Sequence, residues 1–290
     1  MHRFWLFILT PILLIGCVTA SGTNPTGLHG AWFTHWEKRD KPFVWTGTFE
    51  QFDDHLAEAI PDPAAVRLIV FMHGTDSGGR GQKCEPRDDL PTVFEKMIVK
   101  DPQTVVYYPC SNEIGFGATN NVSQGIWWKR AEETSRTLDR FLAYGVAPSQ
   151  IVVAGHSGGA SSALYMSTFA PEKFSGFVAL APGTGFGYLD RSIHDTWYSK
   201  HYYRWKNVIE SGTSMRGVAF GFDDDKYSPL EEMAFIGDIP GVELVEVGNT
   251  SCSEGWIPHF YGYTKCFERK FGQLLEERFE NWGAGNVVSK

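Results

Sequence analysis

The chain is 290 residues long, 42% hydrophobic and 14% aromatic, with 26 Lys and Arg against 34 Asp and Glu for a formal net charge of −8. That composition can build a full core, and its negative balance argues against a nucleic-acid partner, which needs a basic patch. No run of five like charges, internal repeat, low-complexity stretch or polar linker interrupts the alternating strand and helix signals, so one α/β domain is expected.

In chain order, Arg3 followed by the apolar stretch Phe4 to Ile15 predicts a signal peptide over residues 1–16, too short for a comfortable transmembrane helix. Residues 17–26 read as a flexible tether and 27–290 as the folded domain, with leading antiparallel strands expected in 27–63. Next come a strand at 66–72, a loop at 73–81, a helix at 90–100 and a strand at 104–109. A helix over 125–144 carries Trp127, Ala131, Leu138 and Leu142 on its apolar side. A strand at 150–155, a helix at 159–170 and a strand at 174–181 follow. An aromatic segment at 184–212 is the expected site of any small cap. Strands at 215–222 and 242–247 and a helix at 263–281 complete the series. Right-handed crossovers between these elements predict a mainly parallel sheet, helices on both faces, and a site at the strand C-terminal ends.

Chemistry concentrates at residues 151–159. Ile151 to Ala154 is a buried-strand pattern, Gly155-His156-Ser157-Gly158-Gly159 follows it directly, and a helical pattern starts at Ala160. A strand, a G-x-S-x-G turn and a helix are what a nucleophile elbow requires. The glycines allow the sharp turn, and the helix N-terminus offers free N–H groups to a developing oxyanion. A serine hydroxyl needs a base, and the base needs an orienting acid. Only His194, His201 and His259 follow Ser157, and only His259 lies beyond the strand ending at Phe222, where Asp223, Asp224 and Asp225 stand together. Order and position therefore nominate His259 and three candidate acids.

These residues carry a family resemblance, covering about residues 64–280. Phe71-Met72-His73-Gly74-Thr75 resembles the His-Gly oxyanion loop of the α/β-hydrolase superfamily, and Gly155 to Gly159 resembles its elbow. Gly221-Phe222-Asp223-Asp224-Asp225 resembles its acid turn, in the register that makes Asp224 the acid; Pro229, four residues after Asp225, is the feature that would select Asp225 instead. Within the superfamily, Leu138 to Gly183 looks closest to secreted esterases of the polyhydroxybutyrate depolymerase and feruloyl esterase type, although His-Gly-Thr stands where those enzymes often have His-Gly-Cys. The resemblance implies ester hydrolysis by Ser157, Asp224 and His259, with the N–H groups of Thr75 and Gly158 as the oxyanion hole, no metal or organic cofactor, and little or no lid. The alternatives are a serine peptidase on the same fold and a non-catalytic surface-binding lipoprotein.

Leu14-Ile15-Gly16-Cys17 resembles a bacterial lipobox, which implies lipidation of Cys17 and attachment to an outer membrane or cell surface through that anchor; cleavage near Ser21 and free secretion is the other outcome. The sequons at Asn121 and Asn249 matter only in a eukaryotic host. Cys84, Cys110, Cys252 and Cys266 remain, an even count that suggests two disulfides in an exported chain. Of three connectivities, Cys84–Cys110 with Cys252–Cys266 is expected, the second pair bracketing His259 at seven positions on either side. Zinc binding is disfavoured, because no C-x-x-C pair is present.

Overall fold

Four short strands, buried throughout apart from half-buried Arg67, form the centre of the molecule: β3 (Arg67–Met72), β5 (Ile151–His156), β6 (Gly176–Leu180) and β7 (Gly217–Phe222). They read as unbroken apolar runs because the sheet is covered on both faces. The computed structural model describes residues 29–34, 50–74, 90–109, 125–183, 202–248 and 257–285. Thr75, Cys17, Cys84, Cys110 and Cys252, the expected signal peptide and tether, and residues 184–201 of the expected cap lie outside them.

With β1 (His29–Phe33), β2 (Glu50–Gln51), β4 (Thr104–Pro109) and β8 (Val242–Val247), the described residues form a sheet of eight strands in the order β2-β1-β4-β3-β5-β6-β7-β8. Strands β3 to β8 pair in parallel, while β1 is antiparallel to both β4 and β2. The expected leading antiparallel strands are therefore present, but α1 (Phe52–Ala59) follows them as a helix that the sequence reading did not contain.

Side chains alternate across the sheet with period two. Leu68, Val70, Met72 and Val153 enter one core layer, whereas Ile69, Phe71, Val152 and Ala154 enter the other. The first layer is closed by α1, α3 (Gly125–Tyr144), α4 (Gly158–Phe169), the helical residues 202–210 (α5) and the short α6 (Leu230–Met233). The second is closed by α2 (Thr92–Lys100) and α7 (Lys265–Gly283), through Phe94, Met97, Phe267, Phe271 and Phe279. At one edge β2 is two residues long. At the other, β8 carries Glu243 and Glu246, and Arg278 of α7 donates twice to Glu243 at 3.0 and 2.8 Å. Among the described residues no helix is long and apolar enough to cross a membrane.

Candidate active site

Strand β5 ends at His156, α4 begins at Gly158, and Ser157 alone makes the turn, with φ 52° and ψ −122°. A positive φ on a side chain-bearing residue costs of order 1–3 kcal/mol and persists only where its surroundings enforce it. Here the Ser157 N–H donates to Leu180 C=O, and the Ser157 carbonyl accepts from Gly183 and Ser161, each at 3.0 Å. The two outer glycines of the motif are required by contact. A Cβ on Gly155 would lie 2.4 Å from the Gly159 backbone, and one on Gly159 only 2.0 Å from Met72 O and 2.5 Å from His73 O. Gly74 and Gly183 approach the serine itself: Cβ atoms there would stand 3.3 Å from Ser157 Cβ and Oγ respectively. Gly158, at the first position of α4, carries one of the N–H groups that a helix cannot satisfy internally. Thr75, the other expected oxyanion donor, is outside the described residues.

His259 lies in a 3-10 segment, Pro258–Tyr263, and is buried. Its Nδ1 is 2.8 Å from Asp225 Oδ2, and the Asp225 side chain is fully buried. The other carboxylate oxygen accepts the N–H groups of Tyr227 at 2.8 Å and Ser228 at 3.2 Å. Facing a carboxylate, Nδ1 carries the proton, which leaves Nε2 as an acceptor.

Asp224 was the expected partner of His259, but the aspartate that bonds it is Asp225. After β7 the chain reverses through Asp224, which takes φ 58° and points its side chain into solvent. The Asp225 N–H returns to Phe222 C=O at 3.2 Å, and the Asp225 carboxylate turns inward. Asp223 is exposed as well, its N–H continuing the ladder to Val247. Among the described residues, Ser157, Ala181 and Asp224 are the non-glycine residues with positive φ. They stand just beyond β5, β6 and β7, so backbone strain gathers at the C-terminal edge of three adjacent strands, where ligands bind in such sheets.

No protein-family model matches the chain, and no curated protein matches it. Solved structures do. DcsB in complex with its substrate analogue aligns with a TM-score of 0.56 at 12% identity, over 76% of this chain and 92% of that one. Oligopeptidase B from Leishmania major aligns with a TM-score of 0.52 at 11% identity, over 78% of this chain and 33% of that one. A thermostable esterase aligns with a TM-score of 0.46 at 18% identity, over 76% and 56%. The chain thus spans a little over half of that esterase and a third of the oligopeptidase. The chain has the α/β-hydrolase fold.

Behind the site, this α/β-hydrolase fold buries two further histidines and an arginine. His156 is the variable residue of the G-x-S-x-G turn. Its Nε2 donates to His259 C=O at 2.8 Å, and its ring lies 4.7 Å from that of His259. Burial, with a further contribution from His259, holds His156 well below its ordinary pKa, so it stays neutral and bonds the elbow to the histidine segment. At the end of β3, His73 Nδ1 donates to Gly74 C=O at 2.7 Å, and the ring stacks on Tyr108 at 5.3 Å. Burial and then the Arg130 charge push His73 down to about 3. Arg130, itself brought down to about 9 mainly by burial, donates from Nη1 to the His73 carbonyl, just beyond the end of β3. Among the described residues its Nε and Nη2 have no hydrogen-bond partner. None of the three was assigned a role from sequence. A signal for Arg130 was present: it interrupts the buried face Trp127, Ala131, Thr134, Leu138 and Phe141 of α3, where a charge needs a reason.

Of the four expected disulfide residues, Cys266 is described; it is disulfide-bonded, and its sulfur accepts the Tyr261 hydroxyl at 3.2 Å. The other three are outside the described residues, so the pairing is too.

The depressed histidines set an acid limit on stability. The folded-state pKa of His73 lies below its unfolded value of 6.5, so its contribution is complete above about pH 6.5 and is lost as pH falls toward 3. At pH 4.5 the loss from this one residue is about 2–3 kcal/mol, two pH units at about 1.4 kcal/mol each. Urea denaturation between pH 4 and 6 should show His73→Gln losing close to one proton from the wild-type pH slope. An unchanged slope would mean that His73 is not held neutral.

Proposed function

We propose that this protein is a serine hydrolase that cleaves carboxylic esters through an acyl-enzyme, with Ser157 as nucleophile, His259 as general base and Asp225 as the residue that orients it. The observation that carries this reading is the buried His259–Asp225 bond, set against an elbow that holds Ser157 at φ 52°. In the first half-reaction Ser157 Oγ bonds to the ester carbonyl carbon as its proton passes to His259 Nε2. The carbonyl oxygen becomes an oxyanion that Gly158 N–H can receive, a donor worth roughly 3 kcal/mol in sites of this kind. His259 then gives the proton to the leaving alcohol as the C–O bond breaks. Water, deprotonated by the same imidazole, releases the acid and restores Ser157. Asp225 keeps the proton on Nδ1 throughout and stabilises the imidazolium. The resemblance of Leu138 to Gly183 to secreted depolymerase-type and feruloyl-type esterases supports an ester as the substrate.

A fluorophosphonate probe should label the protein once, on Ser157, and Ser157→Ala should remove both the label and the activity while remaining folded. Aryl esters should be hydrolysed and aminoacyl arylamides left intact. Labelling elsewhere, or full activity in folded Ser157→Ala, would end this reading, and amide cleavage would move it to a peptidase. A protein that takes no label would fit the binding role.

A further inference from the structure

Three of the six exposed large hydrophobic side chains among the described residues lie beside His259 in space or in sequence: Tyr227, Ile257 and Phe260, at 42%, 48% and 37% exposure. Single exposed apolar residues are ordinary, but a group of them around one polar residue is a binding signature. Three ring contacts place two of them. Tyr227 lies 4.9 Å from the His259 ring, and Phe260 lies 5.4 Å from His259 and 5.2 Å from His156. The Phe260 N–H donates to Ile257 C=O at 2.9 Å, closing one turn of 3-10 helix. Ile257 enters this segment in an extended conformation, two positions before His259. The histidine is thus flanked by apolar rings.

Which part of a substrate meets these side chains follows from the proton path. His259 must reach the leaving oxygen to protonate it, at hydrogen-bond distance. The carbonyl oxygen is directed instead at the N-terminus of α4. The alcohol therefore departs along the histidine side, and its carbon skeleton runs over whatever flanks His259. We infer that Tyr227, Ile257 and Phe260 form a leaving-group subsite, and that this protein prefers esters of apolar, aryl-bearing alcohols over those of small or polyhydroxylic ones. The inference rests on the esterase reading above. It concerns the alcohol and leaves the acyl group open.

The test holds the acyl group constant and varies the alcohol. Methyl, 2-phenylethyl and glyceryl butyrates are assayed with the full chain and with Phe260→Ser and Tyr227→Ser. The wild-type kcat/KM for the 2-phenylethyl ester should exceed the methyl and glyceryl values by roughly tenfold or more, the scale on which a hydrophobic pocket discriminates. Each variant should bring that ratio down toward one. The ratio is unaffected by a general loss of active protein. A parallel acyl series of methyl esters should keep its order of preference in both variants. Equal kcat/KM for the three alcohols in the wild type, a preference for the glyceryl ester, or variants that reorder the acyl series would overturn the inference. Fluorophosphonate labelling of Ser157 separates the two levels: a labelled enzyme without alcohol preference loses only the subsite, whereas an unlabelled protein loses the esterase reading and the subsite with it.

Discussion

Asp225→Asn is expected to lower kcat by about four orders of magnitude, the scale of loss when the carboxylate behind a triad histidine becomes an amide. The cause is a change of tautomer. Asp225 Oδ2 accepts from His259 Nδ1 at 2.8 Å, whereas Oδ1 is held by the N–H groups of Tyr227 and Ser228. An asparagine keeps its oxygen on those two backbone donors, since its amide nitrogen cannot accept from them. The nitrogen then faces His259 as a donor, and the imidazole must move its proton to Nε2, where a base is needed. The fold should survive, because both backbone bonds remain satisfied, and KM should change little. Asp224→Asn should stay within about twofold of wild type, as its side chain is exposed. Steady-state rates on an aryl ester decide the matter. A severe Asp224→Asn beside a mild Asp225→Asn would reverse the assignment.

Gly159→Ala should be the most destabilising conservative change at the elbow, costing more than about 4 kcal/mol or preventing folding. The added methyl would fall 2.0 Å from Met72 O and 2.5 Å from His73 O. Both obstacles are backbone atoms at the end of β3, which is bonded on both sides by β4 and β5. Neither α4 nor the strand can withdraw without breaking a ladder. Gly272→Ala on α7 provides the contrast. There the methyl would meet only ordinary contacts, the nearest at 3.5 Å, and the helix would gain up to about 1 kcal/mol from the better propensity of alanine. Urea midpoints of the two variants should move in opposite directions. A Gly159→Ala protein with wild-type stability would show that the crossing is looser than drawn here.

The centre of the sheet was legible because doubly covered strands leave a plain mark in sequence. β4 and β8 and helix α3 occupy the expected residues, and the other expected strands and helices differ at their ends by a few positions. The elbow was legible for a different reason: its glycines are required by contacts within the motif itself. α1 was missed because eight residues give Phe52, Leu56 and Ala59 too few turns to establish a period. The partner of His259 was placed one residue early because its register depends on which aspartate adopts positive φ, and that is decided by the bond from Asp225 back to Phe222 and by the backbone donors that follow. Pro229 held the correct signal. Arg130 and His156 could not be assigned from sequence, since their partners, the His73 and His259 carbonyls, are 57 and 103 residues away.

An open sheet of eight strands has two rims, and each is a template on which a second molecule could add a strand. On β8, Glu243 and Glu246 would bring like charges together if two copies met rim to rim, and the bonds from Arg278 tie the strand to its own helix. Protection against fibrous self-association is thus written into β8.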